Sequence, residues 1–147
     1  MAPEAVWRRA AAYVLCRDGD GRILLTQFGM LGNPDSGKWT MPGGGMEWGE
    51  HPVDTAKREL EEETGLTADI GRLVGVFSRW FEAHESVRGE AGHVLGVVYE
   101  ATNVRGELRT DFSGDDTTDA AAWFTLDEAR ALPQVGLVTY CLGLCGA

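Results

Sequence analysis

The sequence predicts an α/β fold, a mixed β-sheet with helices packed on it, and three observations carry that expectation. Apolar, β-prone runs at 7–16, 22–28, 72–81 and 93–102 are separated by turn formers. One amphipathic segment over 52–64 reads as a helix. The resulting order, β-β-loop-α-β-β-β-α, interleaves the two kinds of element as a mixed sheet requires. A chain of 147 residues can bury one sizeable core, so it is read as a single domain over 1–147.

Taken in order, 7–16 (WRRAAAYVLC) and 22–28 (RILLTQF) flank Asp18-Gly19-Asp20-Gly21, a hairpin signal. Residues 29–38 (GMLGNPDSGK) are rich in turn formers and read as a surface loop, after which 39–45 leads into a glycine-rich turn. Pro52 suits the first turn of the following helix and Gly65 the residue just past its end. At about 100° per residue, with Glu59 at zero, Glu63 falls at about +40° and Glu62 at about −60°. Val53, Ala56 and Leu60 then form a buried stripe, and Asp54, Lys57 and Glu61 face water. Beyond it, 72–81 and 93–102 read as strands around a polar loop, 82–92. A short strand at 121–124 leads into a helix at 126–132, and 134–145 is apolar and either helix or strand.

The formal net charge of −10 argues against a nucleic acid polymer or an anionic membrane as partner, since both want a basic face. No run approaches the roughly 18 apolar residues of a membrane span, and 10–16 is too short for a signal segment. Three cysteines, Cys16, Cys141 and Cys145, with no CxxC pair, read as small thiols of a reducing, cytoplasmic compartment.

The chemistry concentrates in GGMEWGEHPVDTAKRELEEETGL, from Gly44 to Leu66. Glu59, Glu62 and Glu63 share a helix face at i, i+3, i+4 spacing, where like charges weaken an isolated helix by a few tenths of a kcal/mol. A hard divalent cation with oxygen ligands is the natural offset. An arbitrary glutamate-rich helix is a solvated face, but this one sits in a longer pattern. It runs G-x5-E-x7-R-E-U-x-E-E-x-G-U, U being aliphatic, matched by Gly44, Glu50, Arg58, Glu59, Leu60, Glu62, Glu63, Gly65 and Leu66.

That pattern is the Nudix box, and the chain resembles the Nudix hydrolases. Trp39-x-x-Pro42-Gly43-Gly44 before the box and Ala122-Trp123-Phe124 after it extend the resemblance. It implies an α/β/α sandwich with a central mixed β-sheet, and hydrolysis of a nucleoside diphosphate linked to another group, with Mg²⁺ or Mn²⁺ as cofactor. It further implies that Glu59, Glu62, Glu63 and the carbonyl of Gly43 hold the metal, that Glu62 or Glu63, Glu62 in preference, orients or deprotonates the attacking water, and that Glu62 and Glu59 are the catalytic pair. Gly44, Glu50, Arg58 and Gly65 take structural parts, with Arg58 paired to Glu50. Relatives also form homodimers, although no interface signature is visible in the sequence.

Two positions depart from the family pattern. Trp48 stands where a small residue or proline is common, and it is expected to pack over the turn, with contact to substrate as the alternative. Ala120 stands where relatives place a further glutamate; Asp115, Asp116, Asp119 and Glu100 are the candidates to replace it. The signatures of ADP-ribose, dinucleoside polyphosphate and NADH hydrolases are absent, with Phe81, Glu82 and Ala83 at the positions concerned. This leaves a nucleoside triphosphate, oxidised or otherwise non-standard included, as the expected substrate. Phe28, Trp39, Trp80 and Phe81 are the candidates to stack a base, and Lys38, Arg79 and Arg88 to meet phosphates. His84 and His93 flank the 82–92 loop as candidate acid/base groups that also fit structural roles. The alternatives are a hydrolase of ADP-ribose or a sugar nucleotide, a non-catalytic nucleotide sensor, and a plain cation-binding domain. The sensor need not keep all three glutamates, and the cation-binding domain leaves Glu50 and Arg58 unexplained.

Overall fold

The computed structural model describes residues 6–29, 33–86, 88–115 and 117–146. Seven strands, β1 (Trp7–Leu15), β2 (Ile23–Phe28), β3 (Trp39–Thr40), β4 (Gly43–Gly45), β5 (Thr67–Phe81), β6 (Gly92–Arg105) and β7 (Thr118–Phe124), form two sheets. One is a mixed sheet in the order β4-β1-β6-β5, with β1 and β6 parallel and the other pairs antiparallel; the other is the antiparallel β3-β2-β7. Helix α1 (Pro52–Thr64) packs on one core, with Leu24 of β2 and Trp123 of β7, and α2 (Leu126–Arg130) and α3 (Gly136–Leu144) pack on the other, with Ile23 and Leu25 of β2, so the second sheet contributes to both. No helix of the described residues is long and apolar enough to cross a membrane.

The expected hairpin between the first two strands forms only at its tip. Gly21 N donates to Asp18 O and Asp18 N to Arg22 O, each at 3.0 Å, but strand pairing stops at the Arg17–Ile23 bridge. Both edges of β1 are already taken, by β4 and by β6, so β2 must find its partners in the other sheet. The glycine-rich turn also differs from expectation, because Gly43–Gly45 pairs with β1 as a strand. β5 begins at Thr67 and β6 runs on to Arg105, with register shifts that blurred the alternation of 67–71 in the sequence. The second helix ends at Arg130, ahead of Pro133. The ambiguous 134–145 segment resolves into α3.

Helix α1 has the expected bounds. His51 caps it, with Nδ1 accepting from Val53 N at 3.1 Å, Pro52 opens it, and Gly65 closes it in the left-handed conformation at φ 76°. Ala56 and Leu60 are buried as the spacing requires, but Val53 is only half-buried; Thr55 and Thr64 complete the stripe. Both threonines satisfy their hydroxyls at 2.6 Å, Thr55 on Glu50 Oε1 and Thr64 on Leu60 O. This helix shares a core with Ala12, Val14, Leu24, Leu66 and Ala68. A second core, between the sheets and under α3, is built on Leu15, Ile23, Leu25, Met41, Val98 and Val138. Cys16 and Cys141 are buried in these cores and burial pushes both thiols up to about 12; Cys145 is partly exposed.

Leu60 is fully buried at the centre of the α1 face. Leu60→Ala should therefore lower the unfolding free energy by about 2–5 kcal/mol in urea titration. Glu61→Ala on the exposed sector should stay within about 0.5 kcal/mol.

Candidate active site

The site is assembled where α1 meets the β4 edge of the mixed sheet. In this antiparallel pair Val14 N donates to Pro42 O and Met46 N to Ala10 O, each at 2.9 Å. The alternation of such a ladder then turns the N–H and C=O of Gly43 away from β1, toward the helix. The N–H donates to Glu63 Oε1 at 2.7 Å. Gly43 adopts φ +146°, and a Cβ there would lie 2.6 Å from the Cα of Tyr13, so only glycine lets the edge approach this closely. A Cβ on Gly44 would meet Glu59 Oε1 at 2.8 Å.

The three glutamates occupy three different environments. Burial pushes the Glu63 carboxyl up to about 8 against the bond from Gly43, and the charge of Glu59 raises it further. Thr118 Oγ1 of β7 lies 3.5 Å from its other oxygen. Glu59 is half-buried and also raised, by burial first, with Arg58 opposing and Glu62 reinforcing. Glu62 is out in solvent, its side chain 58% exposed. Glu61 is exposed on the outer sector, away from the other three.

Arg58 is the hub that lets these acids coexist. Its Nε and one terminal nitrogen grip Glu50 at 2.9 and 3.0 Å, and the other reaches Glu59 at 3.0 Å and Glu62 at 3.3 Å. It also donates to the carbonyl of Gly45 at 3.2 Å. Glu50 accepts in addition from Thr55 and from Glu47 N, and the Arg58 bonds above all hold its carboxyl down at about 2. The expected cover from Trp48 is not there. Its side chain is 104% exposed, because the turn that ends at Gly49, φ +82°, carries it away from the body.

The oxygen-only donors at this edge fit a hard divalent cation. Glu59 and Glu63 are both part-buried, and Arg58 shares its charge among Glu50, Glu59 and Glu62, so a cation at this edge would meet carboxyl oxygens that one arginine does not fully offset. No three acidic, imidazole or thiol groups among the described residues converge as a ready-made cage. Glu62 is the one still free to turn. Among the candidates for a further carboxylate, Asp115 influences Glu63 but is engaged by Arg109 at 2.9 Å and by the N–H groups of Thr117 and Thr118. Burial acts against the ionised Asp115, yet these bonds bring it down to about 2. Asp119 is exposed, Glu100 pairs with Arg72 at 3.6 Å, and Asp116 lies outside the described residues.

A cavity between the two sheets includes Tyr13, the register partner of Gly43, in its lining. Phe28 and Arg79 line it, joined by Tyr13, Asp35, Phe77 and Phe81. Arg79 lies 4.1 Å over the Phe81 ring and 3.7 Å from Asp35. The other substrate candidates are not brought here. Lys38 binds Asp35 at 3.2 Å outside the cavity, and Trp39 packs edge-on against Phe124 at 4.9 Å as part of the core. Trp80 falls on the opposite face of β5 from Arg79 and Phe81, by simple strand alternation, and donates to Glu82. Arg88 lies over Trp7 at 5.1 Å, His93 meets Ser78 at 2.7 Å, and His84 is exposed in a 3₁₀ turn. Sequence reading passed over Tyr13 and Asp35. Alternation along 7–15 groups Tyr13 with Arg9 and Ala11 but does not say which face meets a cleft.

A NUDIX domain model matches residues 7–138. The chain belongs to the Nudix hydrolase family. It is 36% identical over 101 residues to an ADP-ribose pyrophosphatase of Methanocaldococcus jannaschii, covering 69% of this chain and 53% of that protein. It is 39% identical over 77 residues to a human diphosphoinositol polyphosphate phosphohydrolase 3-alpha, covering 52% and 44%. The Nudix chain thus spans about half the length of the curated relatives it matches. A solved MutT NUDIX hydrolase from Burkholderia pseudomallei superimposes with a TM-score of 0.77 at 28% identity, covering 94% of this chain and 98% of that one. The mixed sheet flanked by few helices is the fold of these relatives.

Because the folded chain holds the Glu63 proton up to about 8 and the unfolded chain releases it near its ordinary 4.5, the folded state binds that proton more tightly. The carboxyl costs nothing below about pH 4.5, and stability falls as pH rises from there through about 8. Glu50 has the opposite sign, but its contribution is lost only as pH falls from 4.5 toward 2. In chelator, the melting temperature should therefore drop by about 5 °C or more between about pH 5 and pH 8, and Glu63→Gln should remove most of that drop.

Proposed function

We propose that this chain, acting as one domain, hydrolyses the pyrophosphate bond of a nucleoside diphosphate linked to another group. The substrate is a nucleoside triphosphate, with oxidised or otherwise non-standard bases included. One observation carries the reading: Tyr13 lines the aromatic cavity and also feels the charges of Glu63 and Glu59, so a slot for a base adjoins the carboxylate edge. Glu59, Glu62, Glu63 and the carbonyl of Gly43 would hold Mg²⁺, or Mn²⁺ through the same oxygen donors. When bound, that ion supplies charge neutralisation for the phosphates and a more acidic water.

The protein's own part is positioning. Gly43 and Thr118 fix Glu63 from two strands, so that carboxylate has little freedom. Glu62 is tied only by one 3.3 Å contact to Arg58 and is the group able to orient or deprotonate the attacking water. Arg58 holds Glu50 and Glu59 in place and spends its remaining donors on Glu62 and the carbonyl of Gly45, which leaves it none for substrate. Phe28 and Phe81, with Arg79, offer faces on which a base can stack.

A substrate panel tests this reading: nucleoside triphosphates, oxidised forms, NADH and sugar nucleotides, with ADP-ribose and a diphosphoinositol polyphosphate added because relatives carry those names. With Mg²⁺ a nucleoside triphosphate should be cleaved at a pyrophosphate bond. Glu62→Gln and Glu63→Gln should each lower kcat/KM by about 100-fold or more. Glu61→Gln should stay within about twofold. Cleavage of nothing in the panel, or wild-type rates in the first two variants, would sink the assignment.

A further inference from the structure

The mixed sheet sets two arginines of opposite status in one row. Arg9 of β1 is in register with Val94 of β6, and Val94 with Arg79 of β5. They lie two strands apart, about 10 Å between backbones. The neighbouring rows on the same face are Trp7, Gly92 and Phe81 on one side and Ala11, Gly96 and Phe77 on the other. Gly92 and Gly96 give up their side chains to the rings of Trp7 and Tyr13, which lie directly over them. Val94 is left as the floor of the slot, with an arginine on each flank.

Arg79 is committed to Asp35 and to the Phe81 ring. The side chain of Arg9 is exposed and makes no hydrogen bond or ion pair with any described residue. Yet it is not simply loose in solvent, because its guanidinium lies on the backbone of Gly45. A Cβ there would sit 2.6 Å from the Arg9 Cζ. The φ of Gly45 lies outside the left-handed region, so its backbone does not demand glycine. What the missing side chain supplies is the shelf. From it the positive charge of Arg9 reaches both Glu59 and Tyr13. A donor fork without a partner, seated between a carboxylate edge and an aromatic slot, matches the oxygens of a phosphoryl group.

We propose that Arg9 is a phosphate-binding residue of this site: its guanidinium, shelved on Gly45, donates to phosphoryl oxygens that lie between the carboxylate edge and the moiety held in the slot. The inference rests on the pyrophosphohydrolase reading above and adds a residue outside the Nudix box, together with the reason the third glycine of the run is a glycine.

The test uses the full chain with Mg²⁺ and inorganic tripolyphosphate as the binding probe, read by calorimetry, alongside KM and kcat on the panel compound cleaved fastest. Arg9→Ala should weaken tripolyphosphate binding and raise KM by about tenfold or more, with a smaller change in kcat. Arg9→Lys should recover part of the loss. Gly45→Ala meets only the far end of a flexible side chain, so it should fold, push the guanidinium off its shelf and weaken binding as Arg9→Ala does. The double variant should then be no worse than Arg9→Ala alone. Tripolyphosphate binding within about twofold of the parent in Arg9→Ala, at an unchanged melting temperature, overturns the proposal, and additive losses in the double variant overturn the part given to Gly45. Binding is read without turnover, so a panel in which nothing is cleaved defeats the activity assignment while the calorimetry still decides Arg9.

Discussion

The hydrogen bond from Gly43 N to the part-buried carboxyl of Glu63 is the contact on which the rest of the site depends. It fastens the last turns of α1 to the edge of the mixed sheet, at a ladder position whose polar groups face outward. To make it, the chain needs a residue without a side chain at 43, a short β4 that pairs with β1, and a helix whose register brings position 63 to that edge. Each of these is written into the stretch from Gly43 to Leu66. The cost is a carboxyl driven up to about 8 by burial, a group that prefers a proton until something positive comes near.

Arg58 answers the other half of the electrostatic problem. Three glutamates at i, i+3, i+4 spacing repel one another, and a cation placed among them could equally well collapse the cluster into a neutral knot. Instead the guanidinium spends its planar fork on Glu50, a residue outside the helix, and offers one nitrogen to Glu59 and Glu62 together. Glu50 is fully ionised by this, while Glu59 remains raised. The helix is thereby anchored to the preceding loop, while Glu63 is left without a contact to Arg58. A lysine could not hold both partners in that planar geometry.

Much of this was legible in the sequence. The bounds of α1, marked by Pro52 and Gly65, and the separation of Glu61 from the other glutamates are legible in the sequence, because a long periodic helix carries its own signal; the His51 cap is not. Of the glutamates in the nine-position box, the fold sets Glu59 and Glu63 against the β4 edge and leaves Glu62 in solvent. What spacing could not show was which strands share a sheet: β1 and β2 look like a hairpin and part after one bridge, since β1 has no free edge to offer. Nor could it assign aromatic residues to cleft or core. Trp39 and Trp80 look as eligible as Phe28, but one is packed on Phe124 and the other is on the far face of β5. Arg9 and Tyr13 were hidden for the same reason, as their importance comes from rows across three strands and not from neighbours in the chain.

The proposed metal site turns on Glu63, a part-buried carboxyl pushed up to about 8, giving up its proton to become a ligand at the β4 edge. Calorimetric titration of Mn²⁺ at about pH 7, repeated in buffers of different ionisation enthalpy, counts the protons released on binding. For the parent chain the release should approach one proton per ion bound, and in Glu63→Gln it should fall toward zero with weakened affinity. Mn²⁺ binding that releases no proton, with the same affinity in the parent and in Glu63→Gln, would contradict the account.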